Sequence, residues 1–168
     1  IIEKADIKTA ERVSKEAEDS DFLLGVGGGT CIDVAKYVAF KNDKPFVSVP
    51  TAASHDGISS SRAAVGDGKG STSIKARPPV AIIADTSIIR DSPSYLTASG
   101  CGDMIANYTA VLDCELAKKE KNNKYSEYAA ALSRMSAKIV AKNVEIIKKG
   151  TEESARKLVK ALISSGVA

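Results

Sequence analysis

The sequence predicts an α/β unit over residues 1–90 followed by an all-helical part over residues 91–168. Three observations predict it. Short apolar runs at 21–26, 45–50 and 80–85 alternate with segments of helical periodicity, as in parallel-sheet proteins. The first run meets an amphipathic segment through the turn Gly27-Gly28-Gly29-Thr30. Beyond Ser92 only helical periodicity remains.

Residues 4–18 read as a helix because Ile7, Ala10, Val13 and Ala17 recur at helical spacing. A strand at 22–26 follows, then the glycine turn, then a helix over 32–40. Residues 45–50 form a buried strand bounded by Pro45 and Pro50. Residues 51–61 are small and polar and read as a loop. Residues 63–65 and 71–75, around a glycine-rich tip at 66–70, read as a hairpin. The run at 80–85 is a further strand ending in Asp85. Ser92-Pro93 carries an N-cap and a proline at the first helical position, so a helix is expected from there to about residue 119. It is expected to break at Gly100-Cys101-Gly102. A long helix over 126–149 is closed by Gly150, and Thr151-Glu152-Glu153 opens another that reaches about residue 163. An α/β domain that opens on a helix and ends without a polar tail is expected to be a cut through a larger fold.

Composition excludes several classes. The 168 residues are 43% hydrophobic and 27% charged, as in ordinary globular domains. No run approaches the ~18 apolar residues of a membrane span. The net charge of +3 is uneven, with 12 basic and 7 acidic residues over 111–168, but the lysines are spread along helices as a solvated face. With 5% aromatic residues, no nucleic-acid partner is expected. Cys31, Cys101 and Cys114 form no C-x-x-C pair, which argues against a zinc ribbon and for buried free thiols in a reducing compartment. His55 is the only histidine.

Three motifs can carry chemistry. A glycine turn between strand and helix lets backbone N–H groups approach a phosphate. This one is neither G-x-G-x-x-G nor a Walker loop. Thr30 adds a hydroxyl, and Asp33, which would repel a phosphate, is expected to hold the loop amides or the nicotinamide side. The second motif, Pro50-Thr51-Ala52-Ala53-Ser54-His55-Asp56-Gly57, follows the next strand and so belongs at the same carboxyl edge of the sheet. Asp56, its only carboxylate, can hold a substrate hydroxyl. The third is Gly100-Cys101-Gly102-Asp103, where Asp103 either turns inward or simply caps a helix.

Together the motifs resemble the iron-containing alcohol dehydrogenase and dehydroquinate synthase-like superfamily. Ser54-His55-Asp56-Gly57 and Asn107-Tyr108-Thr109-Ala110-Val111 favour its archaeal sn-glycerol-1-phosphate dehydrogenase branch. The resemblance covers about residues 5–168. It implies a partial Rossmann-like dinucleotide-binding unit plus a helical metal-binding domain, both truncated. It places NAD(H) or NADP(H) against Gly28, Gly29, Thr30, Cys31, Ile32 and Asp33, completed by Thr51, Ala52, Ala53, Ser54 and Ser60. Asp56 and Asp103 would be catalytic and bind substrate, and Asp103 would also be a zinc ligand. Zinc would polarise the ketone of dihydroxyacetone phosphate while the reduced nicotinamide delivers hydride, giving sn-glycerol 1-phosphate for archaeal ether lipids in the cytoplasm. Members of the family tend to assemble, so a homo-oligomer is expected.

The chain departs from that pattern in its histidines. Two histidine ligands of the family are missing, and where some members carry a histidine four residues after the aspartate this chain has Asn107. A lone Asp103 would not hold catalytic zinc, which needs three protein ligands. The 168 residues alone are therefore expected to be inactive. Glycerol dehydrogenase, dehydroquinate synthase and a metal-free nucleotide-binding module stay open as alternatives.

Overall fold

A computed structural model describes residues 1–66 and 70–168. The hairpin tip expected to be glycine-rich lies partly outside these residues. Helix α1 (Ile7–Glu16) starts where the Asp6 carboxylate accepts from the Thr9 amide at 2.7 Å. Strand β1 (Leu23–Gly27) leads through Gly28 into α2 (Gly29–Lys41), and β2 (Phe46–Pro50) returns parallel to β1. A short 3₁₀ turn (Asp56–Ile58) precedes the antiparallel hairpin of β3 (Arg62–Gly66) and β4 (Ser71–Lys75). Strand β5 (Ala81–Ile82) completes a parallel sheet of order β1-β2-β5. Then come α3 (Thr86–Arg90), α4 (Ser94–Lys121), α5 (Glu127–Lys142), α6 (Val144–Ile147) and α7 (Glu152–Gly166).

The core explains the order of elements. Ile32, Val34 and Val38 of α2 are fully buried, as are Leu158 and Leu162 of α7. One apolar cluster joins these to Met104 of α4, Val140 of α5 and Ile147 of α6. The hairpin has its own small cluster of Ala63, Val65 and Ala76. The outer face of β1 is different, because Phe22, Leu24 and Val26 are exposed.

Several sequence expectations are corrected. Helix α2 starts three residues earlier than periodicity suggests, because the Ile32 amide already donates to the Gly28 carbonyl at 3.2 Å. The third run contributes only a two-residue strand, and Asp85 caps α3, accepting from the Ser87 amide at 2.8 Å. Ser92 caps nothing; its hydroxyl donates to the Ile89 carbonyl at 2.7 Å. Helix α4 runs unbroken through Gly100-Cys101-Gly102. The helix expected over 126–149 divides at Asn143, whose side chain donates back to the Ile139 carbonyl at 2.7 Å. Thr151 does open α7, through reciprocal bonds with Ser154. The thiols are not all buried, since Cys114 is exposed on α4 while Cys31 and Cys101 are half-buried.

Candidate active site

The parallel register pairs Gly27 with Pro50, so the glycine turn and the 51–57 loop leave the sheet at the same edge. The Thr51 amide donates to the Gly27 carbonyl at 3.0 Å and fastens the two together. Gly28 is the N-cap of α2 and offers no side-chain cap, so the first amides of the helix have no side-chain acceptor from their own cap. A Cβ at Gly28 would meet nothing within 4 Å, so there is open space beside Gly28 itself. Thr30 is exposed beside these amides. A helix N-terminus of this kind can accept an anionic group.

His55 links the first motif to the second. Its ring lies over Gly29, where an added Cβ would come within 2.2 Å of Nε2. Only glycine admits that approach. The Gly57 amide donates to Nδ1 at 2.8 Å. In the neutral ring the proton therefore sits on Nε2, above the start of α2.

Asp33 does not hold the glycine-turn amides. It is buried, with Oδ1 3.8 Å from Lys36 Nζ, and burial pushes its carboxyl above the usual range while Lys36 opposes the shift. Lys36 is the residue that sequence reasoning missed. Its ammonium donates to the carbonyls of Gly57 at 2.5 Å and Arg62 at 2.8 Å and lies 3.4 Å from Ser60 Oγ. Burial holds it below the usual lysine range, with Asp33 and then Asp56 opposing. The signal in the sequence was a lysine among the apolar residues of a buried helix, at i+3 from Asp33.

The third motif meets the second directly. Asp103 is in the interior of α4, and its Oδ2 accepts from the Asp56 amide at 2.8 Å. Burial pushes the Asp103 carboxyl up; the Asp56 amide and His55 pull it down, and the Asp56 carboxylate pushes it up. Gly100 brings the helix this close, because a Cβ there would come within 2.1 Å of the Ala53 carbonyl oxygen. Asp56 Oδ2 in turn accepts from the Ser165 hydroxyl at 2.8 Å. Asp33, His55, Asp56, Ser60 and Asp103 line one open cleft of about 440 Å³.

Other expected cofactor residues are placed differently. Ile32 is fully buried in the core and does not line the cleft, and within the loop Ala52, Ala53 and Ser54 are buried. Cys31 lies against the Ile2 carbonyl, 4.0 Å away. Among the described residues, no group of three His, Cys, Asp or Glu side chains could hold a metal ion. The residues present thus do not make a complete zinc site. No described helix is long and apolar enough to cross a membrane.

A parallel sheet with a glycine turn and a carboxylate cleft at one edge defines an α/β protein of the kind whose ligands sit at the strand ends. Residues 1–93 match the family described as iron-containing alcohol dehydrogenase, and the chain belongs to that family. A glycerol-1-phosphate dehydrogenase (NAD(P)+) of Methanospirillum hungatei is 55% identical over 164 residues, which is 98% of this chain and 46% of the relative. The protein of the same name from Thermococcus sibiricus is 55% identical over 170 residues, 100% of this chain and 49% of its own. The chain therefore spans about half the length of the curated relatives it matches. The crystal structure of a probable glycerol dehydrogenase from Sinorhizobium meliloti shares the fold, with a TM-score of 0.84 at 24% identity, over 98% of this chain and 50% of that one.

Proposed function

We propose that this chain is the portion of an NAD(P)-dependent sn-glycerol-1-phosphate dehydrogenase that carries the pyrophosphate cradle and the substrate carboxylates. The observation that carries the proposal is identity of about 55% along nearly the whole chain to relatives bearing that name. Residues 1–90 would belong to the dinucleotide-binding domain and residues 91–168 to the helical substrate and metal domain. The amides at the start of α2, beside Gly28 and under the His55 ring, would hold the pyrophosphate. Thr51 and Ser60, with the buried Ser54 behind them, would complete the site towards the nicotinamide, and Asp33 with Lys36 fixes the turn that carries Gly57. A bound reduced nicotinamide would supply the hydride.

Asp56 accepts a hydroxyl of dihydroxyacetone phosphate and so orients the ketone. Asp103 lies beside it and would be one ligand of a zinc ion, which would polarise the ketone; the described residues supply no second or third ligand. The product, sn-glycerol 1-phosphate, is a backbone for ether lipids. Unpaired thiols at Cys31, Cys101 and Cys114 suit a reducing cytoplasm.

The test is NAD(P)H oxidation by the full-length protein with dihydroxyacetone phosphate and with dihydroxyacetone. Preference for the phosphorylated ketone is expected; preference for dihydroxyacetone would make the enzyme a glycerol dehydrogenase. Net turnover of neither ketone would reject both readings. Asp103→Asn is expected to lower zinc content and activity together, and full activity in that variant would remove Asp103 from the metal site.

A further inference from the structure

We propose that Asn107 and Ser165 form a hydrogen-bond relay that sets the orientation of Asp56, making them positioning residues for the substrate. The proposal rests on the reading of Asp56 as the substrate carboxylate. Three elements meet at this point. Asn107 lies on α4, four residues beyond Asp103, and Ser165 lies in the last turn of α7. Asn107 Nδ2 is 2.8 Å from Ser165 Oγ, and Ser165 Oγ is 2.8 Å from Asp56 Oδ2.

The chemistry fixes the direction of the relay. An ionised carboxylate only accepts hydrogen bonds, and a hydroxyl has one proton to give. The Ser165 proton must therefore point at Asp56. The lone pairs of Ser165 Oγ are then free for a donor, and only the NH₂ end of the Asn107 amide supplies one. A flipped amide would set its carbonyl oxygen against those lone pairs. Asn107 thus holds the hydroxyl in the rotamer that donates to Asp56.

Burial makes the relay stiff. Ser165 is only 6% exposed, at the wall of the cleft, with its hydroxyl held between Asn107 and Asp56. The end of α7 is itself held to the same turn, because the Ser59 hydroxyl donates to the Ile163 carbonyl at 3.1 Å. Meanwhile the Asp56 amide is held by Asp103 at 2.8 Å. Backbone and side chain of Asp56 are therefore fixed by different helices, α4 and α7. With Oδ2 committed to Ser165, Oδ1 is the oxygen Asp56 offers to a substrate hydroxyl.

The experiment uses the full-length enzyme with dihydroxyacetone phosphate and four proteins: wild type, Ser165→Ala, Asn107→Ala and the double variant. Ser165→Ala is expected to raise KM for the ketone about tenfold, the usual scale for one hydrogen bond to a charged group. KM for NAD(P)H should stay within about twofold, a split that general loosening of the fold would not produce. Asn107→Ala should raise the ketone KM several-fold, and the double variant should be no worse than Ser165→Ala. An unchanged ketone KM in Ser165→Ala, or multiplicative effects in the double variant, would overturn the relay. Backbone amide exchange at residues 56–60 provides a readout independent of turnover. It should quicken in both single variants without a further rise in the double. If the wild type turns over no ketone, the functional reading fails while exchange still decides the relay; unchanged exchange rejects it.

Discussion

Gly100 and Gly102 lie two residues apart in α4, yet alanine should act in opposite directions at the two positions. A Cβ at Gly100 would lie 2.1 Å from the Ala53 oxygen, 3.0 Å from its carbonyl carbon and 3.4 Å from Leu158 Cδ2. The first two are backbone atoms of a loop in which Ala53 is 1% exposed, so no side chain can swing aside. Helix and loop must separate by more than 1 Å for the Ala53 oxygen to reach the 3.4 Å at which ordinary contact begins. Overpacking of this kind costs about 1–3 kcal/mol, and a backbone obstacle puts Gly100→Ala near the upper end. At about 2–4 °C per kcal/mol for a chain of this size, Tm should fall by about 6–12 °C. At Gly102 a Cβ meets nothing within 4 Å, so Gly102→Ala should gain about 0.5–1 kcal/mol from helix propensity. Thermal denaturation followed by circular dichroism reads both. The same retreat would stretch the 2.8 Å contact between Asp103 and the Asp56 amide, so activity should fall in Gly100→Ala and not in Gly102→Ala. A neutral Gly100→Ala, or the same sign for both variants, would refute the close approach of α4 to the loop.

Two further predictions follow from buried and exposed groups. Lys36→Met removes the ammonium from the Gly57 and Arg62 carbonyls and leaves the buried Asp33 carboxyl without its partner. Breaking such a buried pair costs about 3–5 kcal/mol, so the urea midpoint should drop sharply; an unchanged midpoint would show that the turn is held by other contacts. Burial holds the Cys101 thiol above its usual range, whereas Cys114 is exposed. Iodoacetamide at mildly alkaline pH should modify Cys114 well before Cys101 by peptide mass mapping, and equal rates would contradict the packing of α4.

What the sequence made legible was local. Apolar runs ended by glycine or proline located β1 and β2, and their order placed both motifs at one sheet edge, as the Gly27–Pro50 register confirms. Capping chemistry at Thr151 located α7. The errors arose where tertiary contacts override local propensity. Glycines at 100 and 102 suggested a break, because each lowers helix propensity by about 1 kcal/mol. Gly100 instead serves the contact with Ala53. Ser165 could not be found from spacing, because it reaches Asp56 across 109 positions of the chain.

The uninterrupted course of α4 also bears on what Asp103 can do. At a helix start, its carboxylate would be taken up by the amides of the first turn, and capping alone would account for it. In the interior of a 28-residue helix those amides are already bonded within the helix. Asp103 Oδ2 instead accepts one amide from outside, that of Asp56, and the carboxyl lines the cleft. The position of that oxygen is set by the rigid helix on one side and by the turn clamped by Lys36 on the other. Both supports consist of protein contacts alone, so the carboxylate is held in place before any ligand arrives. Capping thus does not explain Asp103. A carboxylate kept half-buried beside Asp56 at a cost in desolvation is consistent with a role towards substrate or metal, and it directs the first substitution to Asp103→Asn.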